Sequence, residues 1–319
     1  MAGGKILITG ATGFVGRHVT AALLAEGQDL RLLVRDPAKM PAVWQGRLEA
    51  ATAGDLADAA LEAHLAGVET VVHIAGLAGG RFPEASFMRA NAEATERLCA
   101  AARESGVRRF ISISSIMAVA DNCAPMIVTD ETPPAPHSIY GRSKHAGEMP
   151  VAALGREILA VSLRPPLVIG ADSTGNWRRL MRLAATGLPL PFGAVRARRS
   201  YIAADNLAAA VALVCGSDAA PALSGAYLVA DPQALMLPEV ITALRAGMKR
   251  PPGLLSIPPG LMAAAGRAIG AGAAVDSLLG PLEADGSRFA ERFGFRPALP
   301  LIEAIRQSAA AFMAAGAAR

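Results

Sequence analysis

The stretch YGRSK sets the Tyr140 phenol and the Lys144 ammonium four positions apart. On a helix that spacing puts both on one face. A free phenol has a pKa of about 10, and a fixed cation beside it in a desolvated site makes a tyrosine an acid/base at neutral pH. Ser114 and Ser115 close an apolar run 25 residues before Tyr140. A hydroxyl there can orient the group whose proton the tyrosine exchanges; Ser115 is the first candidate and Ser114 the adjacent one. YxxxK by itself is only a pair on a helix, so its meaning depends on what else the chain brings to it.

The first apolar run, KILIT (5–9), ends in TGATGFVG, with Gly10, Gly13 and Gly16 and a helical pattern opening at Phe14 and Val15. Glycines between a strand and a helix let the backbone approach a pyrophosphate, which then sits at the positive helix N-terminus. The reading is a dinucleotide site. At the second strand exit Val34 stands where many NAD sites carry a carboxylate. Arg35 would accept a 2′-phosphate and favour NADP; Asp36 would bind a ribose diol and favour NAD. The balance leans slightly to NADP. Asp55 and Leu56 at the third exit suit an adenine edge and face. Ala75 and Gly76 at the fourth are small enough for backbone to lie beside the pyrophosphate and nicotinamide ribose. His73, inside that strand, reads as a core residue.

The elements that position these exits are β-rich runs at 5–9, 30–34, 48–52, 70–74, 109–114 and 158–163, alternating with helical spacing at 14–26, 56–66 and 84–105. Such alternation means βαβ units and a parallel sheet. Apolar runs without alternation mean a sheet covered on both faces. The fold expected is α/β: a Rossmann-type doubly wound parallel sheet with a smaller, mostly helical C-terminal substrate lobe. Residues 1–165 make the dinucleotide domain, with 201–230 returning to it; 166–200 and 231–319 make the lobe.

Composition narrows the function. Of 319 residues 52% are hydrophobic, 18% charged and 4% aromatic, and the net charge is +4. So few aromatics exclude a stacking platform for nucleic acid. The basic cluster Arg196, Arg198 and Arg199, with Arg178, Arg179 and Arg182 before it, suits one phosphorylated small ligand. Three cysteines without a CxxC pair read as reduced thiols of a cytoplasmic protein. The N-terminal apolar run is too short for a signal peptide. Residues 259–280 fall short of a transmembrane segment and read as a buried or lid helix pair. No His, Cys and carboxylate set has ligand spacing, so no metal is expected.

Together, TGATGFVG, GDL, HIAG, NAEAT, the serine pair, YGRSK, LRPPLVIG, RSYIAADNL and the closing LEADGSRFAERFGFRP resemble the extended short-chain dehydrogenase/reductase family. The nearest branch is that of the NAD-dependent nucleotide-sugar epimerases and dehydratases, UDP-sugar 4-epimerases in particular, and the likeness covers nearly the whole chain. It implies Tyr140 as the acid/base, Lys144 as its charge partner and ribose ligand, and Ser115 orienting the substrate hydroxyl. It further implies Asn91, Ser114, Pro166 and Leu167 beside the cofactor, and Arg199 and Asn176 on a nucleotide-sugar diphosphate. The implied reaction is hydride transfer at C4 of a UDP-hexose; a homodimer through helices 84–105 and 140–157 is the family's habit. The chain departs from the pattern at Ala78, at Ala118-Val119-Ala120 and at Ile169, which makes the sugar-facing positions less polar. Those positions and Arg35 favour the alternative of an NADPH-dependent carbonyl reductase; a non-catalytic NAD(P) sensor would not need the Ser115/Tyr140/Lys144 set.

Overall fold

Continuous runs of Ile, Leu and Val have no solvent face, so they assemble in the middle layer of a sandwich. The computed structural model describes residues 4–317 apart from Arg47, Ala219, Ile269 and Ala271. Its first six strands are β1 (Lys5–Thr9), β2 (Leu30–Val34), β3 (Glu49–Thr52), β4 (Val68–His73), β5 (Arg109–Ile113) and β6 (Leu159–Arg164). Three short ones follow outside the main sheet: β7 (Leu167–Ile169), β8 (Arg198–Arg199) and β9 (Tyr201–Ala203). β10 (Gly225–Leu228) then returns beside β6, and β11 (Leu235–Met236) pairs with β8. The sheet has seven parallel strands in the order β10-β6-β5-β4-β1-β2-β3. The order reverses between β1 and β4, and ligands of open α/β sheets bind at such a switch point.

Helices α1 (Phe14–Ala25), α2 (Glu84–Met88), α3 (Ala94–Glu104) and α4 (Ile139–Leu154) flank the sheet, and α5 (Gly175–Ala185) belongs to the lobe. α6 (Ala204–Gly216) packs against α1 on one face, around Val19, Leu23, Leu207 and Val211. α3 and α4 cover the other through Leu98, Ala102, Val151 and Leu154. The lobe continues with α7 (Leu237–Gly247), α8 (Pro259–Ala268), α9 (Gly272–Leu279) and α11 (Leu301–Ala317), with α10 (Ser287–Phe293) between the last two in sequence. Its own core gathers Trp177, Met181, Ile241, Leu244 and Ile305, with Trp177 Nε1 donating to Ser308 Oγ at 3.0 Å. The buried Arg245 ties its loops by donating to the carbonyls of Ala184, Leu188, Pro252 and Gly253.

Three expectations are corrected. Residues 56–66 form no α-helix: Asp55 accepts the Ala57 N–H at 3.1 Å, and its carbonyl accepts those of Asp58 and Ala59, closing a turn. Only Glu62–Leu65 winds into a short 3-10 turn. Residues 84–105 are α2 and α3 joined by a π-helical turn, Arg89–Glu93. There Thr95 Oγ1 donates to the Asn91 carbonyl at 2.8 Å, and Gly147 of α4 packs so closely on that carbonyl that a Cβ would collide with it. The segment around α10 leaves the lobe and packs on the sheet, where Phe289 and Phe295 join the core of Tyr227. The expected helix pair at 259–280 is present as α8 and α9, and with Leu261 64% exposed α8 fits the lid alternative rather than the buried one. Among the described residues no helix is long and apolar enough to cross a membrane.

Candidate active site

The glycine turn after β1 has the shape of an anion cradle. Gly10 sits at φ +72°, and a Cβ there would stand 2.5 Å from the Ala75 backbone nitrogen. Gly13 caps α1 with φ −74°, and its missing Cβ would meet only the Gly10 carbonyl, at 3.2 Å. No side chain caps this helix, so its first-turn N–H groups, at Phe14, Val15 and Gly16, are left for a ligand. A dinucleotide pyrophosphate fits this open space and these donors. The Phe14 ring packs where a Cβ on Gly170 would stand, which joins the start of α1 to the exit of β7.

Around the adenosine end the structure separates the two charged candidates. Asp36 is occupied as a cap, accepting the Ala38 N–H at 3.1 Å. Arg35 is exposed and close enough to Asp55 to help hold its carboxyl down, after the Ala57 N–H and Arg89. Asp55 also accepts from Arg89 Nε at 2.7 Å, so both of its oxygens have protein partners, and Leu56 lies partly buried beside the core of that face.

The exits of β4 and β5 meet at helix α4. Ser138 caps α4 by accepting the Gly141 N–H at 3.0 Å, which starts the helix just before Tyr140. The Tyr140 phenol is partly buried and lies beside the Ser115 side chain, which acts to lower its pKa. Ser115 Oγ also accepts the Met117 N–H at 3.1 Å. Lys144 Nζ donates to the Ile113 carbonyl at 2.9 Å. A Cβ on Gly76 would stand 2.5 Å from Asn91 Oδ1 and 3.2 Å from Lys144 Nζ, so Gly76, Asn91 and Lys144 converge on one point. Burial pushes the Tyr140 phenol above its ordinary value, and Ser115 partly offsets this. Burial pushes Lys144 down to about 8, against the raising effect of Glu148.

Asn91 holds the β4 exit rather than reaching into the open. Its side chain accepts the Leu77 N–H and donates to the Leu77 carbonyl and Ser143 Oγ, each at 2.9 Å. His73 is a core residue as expected, bridging Thr9 Oγ1 at 2.8 Å and Thr95 Oγ1 at 3.0 Å. Burial, then Lys144, pushes its pKa down to about 3, so it is neutral. Of the two serines, Ser114 points away from the reaction: its hydroxyl donates to the buried Glu148 at 2.5 Å. Glu148 and its partner Arg164 escape sequence reading, because a charge on an apolar strand or helix looks like an exposed residue until its partner is known.

The lobe-side candidates lie less close together. Pro166 is buried and Leu167 is 38% exposed at the β6–β7 step. Asn176 is exposed at the start of α5, near Arg179 Nη1 at 3.4 Å. Arg199 Nη1 donates to the carbonyls of Asn122 at 2.9 Å and Gly280 at 2.7 Å, joining the loop after β5 to the lobe. On the outer side of Tyr140, Phe82, 49% exposed, meets Phe87 edge to face, and Phe87 meets Tyr140 in the same way.

A seven-stranded Rossmann-type sheet with a glycine cradle and a Ser–Tyr–Lys cluster at adjacent strand exits defines a nicotinamide-dinucleotide enzyme. The chain belongs to the NAD dependent epimerase/dehydratase family, whose model matches residues 6–230. It is 31% identical to the UDP-glucose 4-epimerase of Vibrio cholerae over 98% of this chain and 96% of that one. It is also 34% identical to the ceramide reductase of Caulobacter vibrioides, over 66% of this chain and 61% of that one. In fold it is similar to the UDP-N-acetylglucosamine 4-epimerase of Bacillus cereus, with a TM-score of 0.78 at 22% identity, covering 97% of this chain and 99% of that one. The family contains both epimerases and reductases, and the chain is accordingly an oxidoreductase or isomerase.

Proposed function

We propose that the protein interconverts UDP-hexoses at C4. The observation that carries this reading is the convergence of Ser115, Tyr140, Lys144 and Gly76 at neighbouring strand exits, in a chain similar from end to end to a UDP-glucose 4-epimerase. Tyr140 takes the proton of the C4 hydroxyl, Ser115 holds that hydroxyl in line, and Lys144 stabilises the phenolate and binds the ribose. A bound nicotinamide supplies the hydride acceptor and donor, and its positive charge helps lower a phenol that burial alone raises. After the keto sugar turns over, C4 would be reduced from its opposite face while Tyr140 returns the proton to the C4 oxygen. Arg199 and Asn176 hold the diphosphate. Arg35 beside a capped Asp36 supports NADP over NAD.

A second reading, reduction of an apolar ketone with NADPH, is favoured by the Phe82–Phe87–Tyr140 aromatic series and by the likeness to a ceramide reductase. The test is to identify by mass spectrometry the nucleotide and sugar released on denaturing the purified protein, and to assay a UDP-hexose panel. The C4 epimer forming without net cofactor consumption is expected. Stoichiometric NADPH oxidation on apolar ketones, with UDP-hexoses inert, would replace the epimerase by the reductase. Cofactor binding without turnover on either panel would leave a sensor.

A further inference from the structure

Beneath the catalytic helix lies an ion pair closed off from solvent. Arg164, the last residue of β6, donates through Nε to Glu148 Oε1 at 2.9 Å and through Nη2 to Oε2 at 2.6 Å. Both side chains are only 7% exposed. Ser114 Oγ donates to the same Oε1 at 2.5 Å. Glu148 stands four residues after Lys144 on α4, so it shares that residue's face. Ser114 in turn lies between Ile113, whose carbonyl receives the Lys144 ammonium, and Ser115, whose side chain lies beside Tyr140. Two charges removed from water are costly and rarely improve stability over apolar residues of equal size. Their presence one helical turn from the site asks for another role.

Resting on the reading of Tyr140 and Lys144 as the reacting pair, we propose that Glu148, held by Arg164, is a positioning residue. Through Ser114 it fixes the β5 exit that presents Ser115 to Tyr140 and the Ile113 carbonyl to Lys144. Its carboxylate is also the fixed negative charge that keeps the Lys144 ammonium charged in a desolvated site. The charged and titratable groups facing these residues are Arg164 from β6, His73 from β4, Tyr140 and His145 from α4 itself, and the buried carboxyl of Asp130 from the loop before α4, near Arg164. His145 Nδ1 lies 3.8 Å from Glu148 Oε2, and His73 is neutral.

The chain has four lysines, Lys5, Lys39, Lys144 and Lys249, so selective carbon-13 labelling of lysine gives few signals, and Lys144→Arg assigns the one that matters. In the parent the Lys144 signal should titrate near 8. Glu148→Gln keeps an acceptor for Ser114 but removes the charge, and should lower that midpoint by about one pH unit while the other three lysines stay put. Because Glu148→Gln leaves Arg164 buried and unpaired, the double variant Glu148→Gln/Arg164→Met is measured alongside it. It should fold with near-parental melting and still titrate below the parent. An unchanged Lys144 midpoint in the folded double variant overturns the proposal. Turnover separates the two levels. If Tyr140→Phe retains full activity while Glu148→Gln shifts Lys144 as stated, the catalytic reading fails and the positioning of Lys144 stands.

Discussion

Lys144 Nζ donates to the carbonyl oxygen of Ile113 at 2.9 Å, which fastens helix α4 to the strand end that carries Ser115. The bond explains how two segments far apart in sequence present a phenol and a hydroxyl to one point. Tyr140→Phe removes one oxygen and keeps the ring against Phe87. Folding and cofactor binding should survive, and turnover should fall by about 10²–10⁴, the usual share of general acid/base catalysis. Lys144→Ala should weaken the cofactor and move the acid limb of the residual rate to higher pH, as the phenolate loses its partner. The pH–rate profiles of both variants decide it; near-parental turnover in Tyr140→Phe would reduce the pair to helix neighbours.

Gly13 has an ordinary backbone, φ −74° and ψ 173°, that any residue can adopt, and a side chain there need only displace the Gly10 carbonyl, 3.2 Å from its Cβ, by a few tenths of an ångström. Gly13→Val should fold with little loss of melting temperature yet lose dinucleotide binding, because its branches fill the cradle at the α1 N-terminus. Calorimetry showing parental NAD(P) affinity in the folded variant would remove the cradle from the cofactor site.

With Asp36 engaged at the Ala38 N–H, the exposed Arg35 is the residue proposed to choose between cofactors. Arg35→Ala should weaken NADPH by about tenfold or more, the usual value of a charge-assisted contact of roughly 1.5–3 kcal/mol, and leave NADH nearly unchanged. Equal losses for both would mean that Arg35 does not reach a 2′-phosphate.

Arg199 holds two distant carbonyls and is the proposed ligand of the substrate diphosphate. Arg199→Ala releases the Asn122 and Gly280 carbonyls and should raise the KM for a UDP-sugar by about tenfold or more, with NAD(P) affinity unchanged. Kinetics with UDP-sugars indifferent to the change would transfer weight to the reductase reading.

His18 joins three elements: its ring nitrogens lie 2.5 Å from Asp205 and 3.3 Å from Asp172, and Arg17 also pairs with Asp172. Burial alone would lower its pKa; the bonds to Asp172 and Asp205 outweigh that and raise it to about 9. A folded-state value above the unfolded one means stabilisation that is complete below about pH 6.5 and is lost as pH rises through about 9. Denaturant titrations from pH 6 to 10 should therefore show stability falling across this window in the parent, and a flatter profile in His18→Gln. Parallel profiles would show that the cluster contributes nothing by charge.

The sheet strands and the glycine turn are local patterns: an apolar run and a strand-to-helix step each carry their meaning within a few residues. They were legible without coordinates for that reason, as was the neutral core role of His73. Residues 56–66 misled because alanine-rich spacing favours a helix, while the Asp55 turn captures the N–H groups that a helix would need. The π-helical turn at Asn91 arises where Gly147 of α4 presses on its carbonyl, and helical periodicity cannot show the pressure of another helix. Glu148 with Arg164 and Ser114, His18 with Asp172 and Asp205, and Arg199 with two distant carbonyls join residues 16 to 187 positions apart. A charge in sequence is neutral as to whether it faces water or a partner. Only the folded chain, by removing water from these positions, decided which partner each group must have.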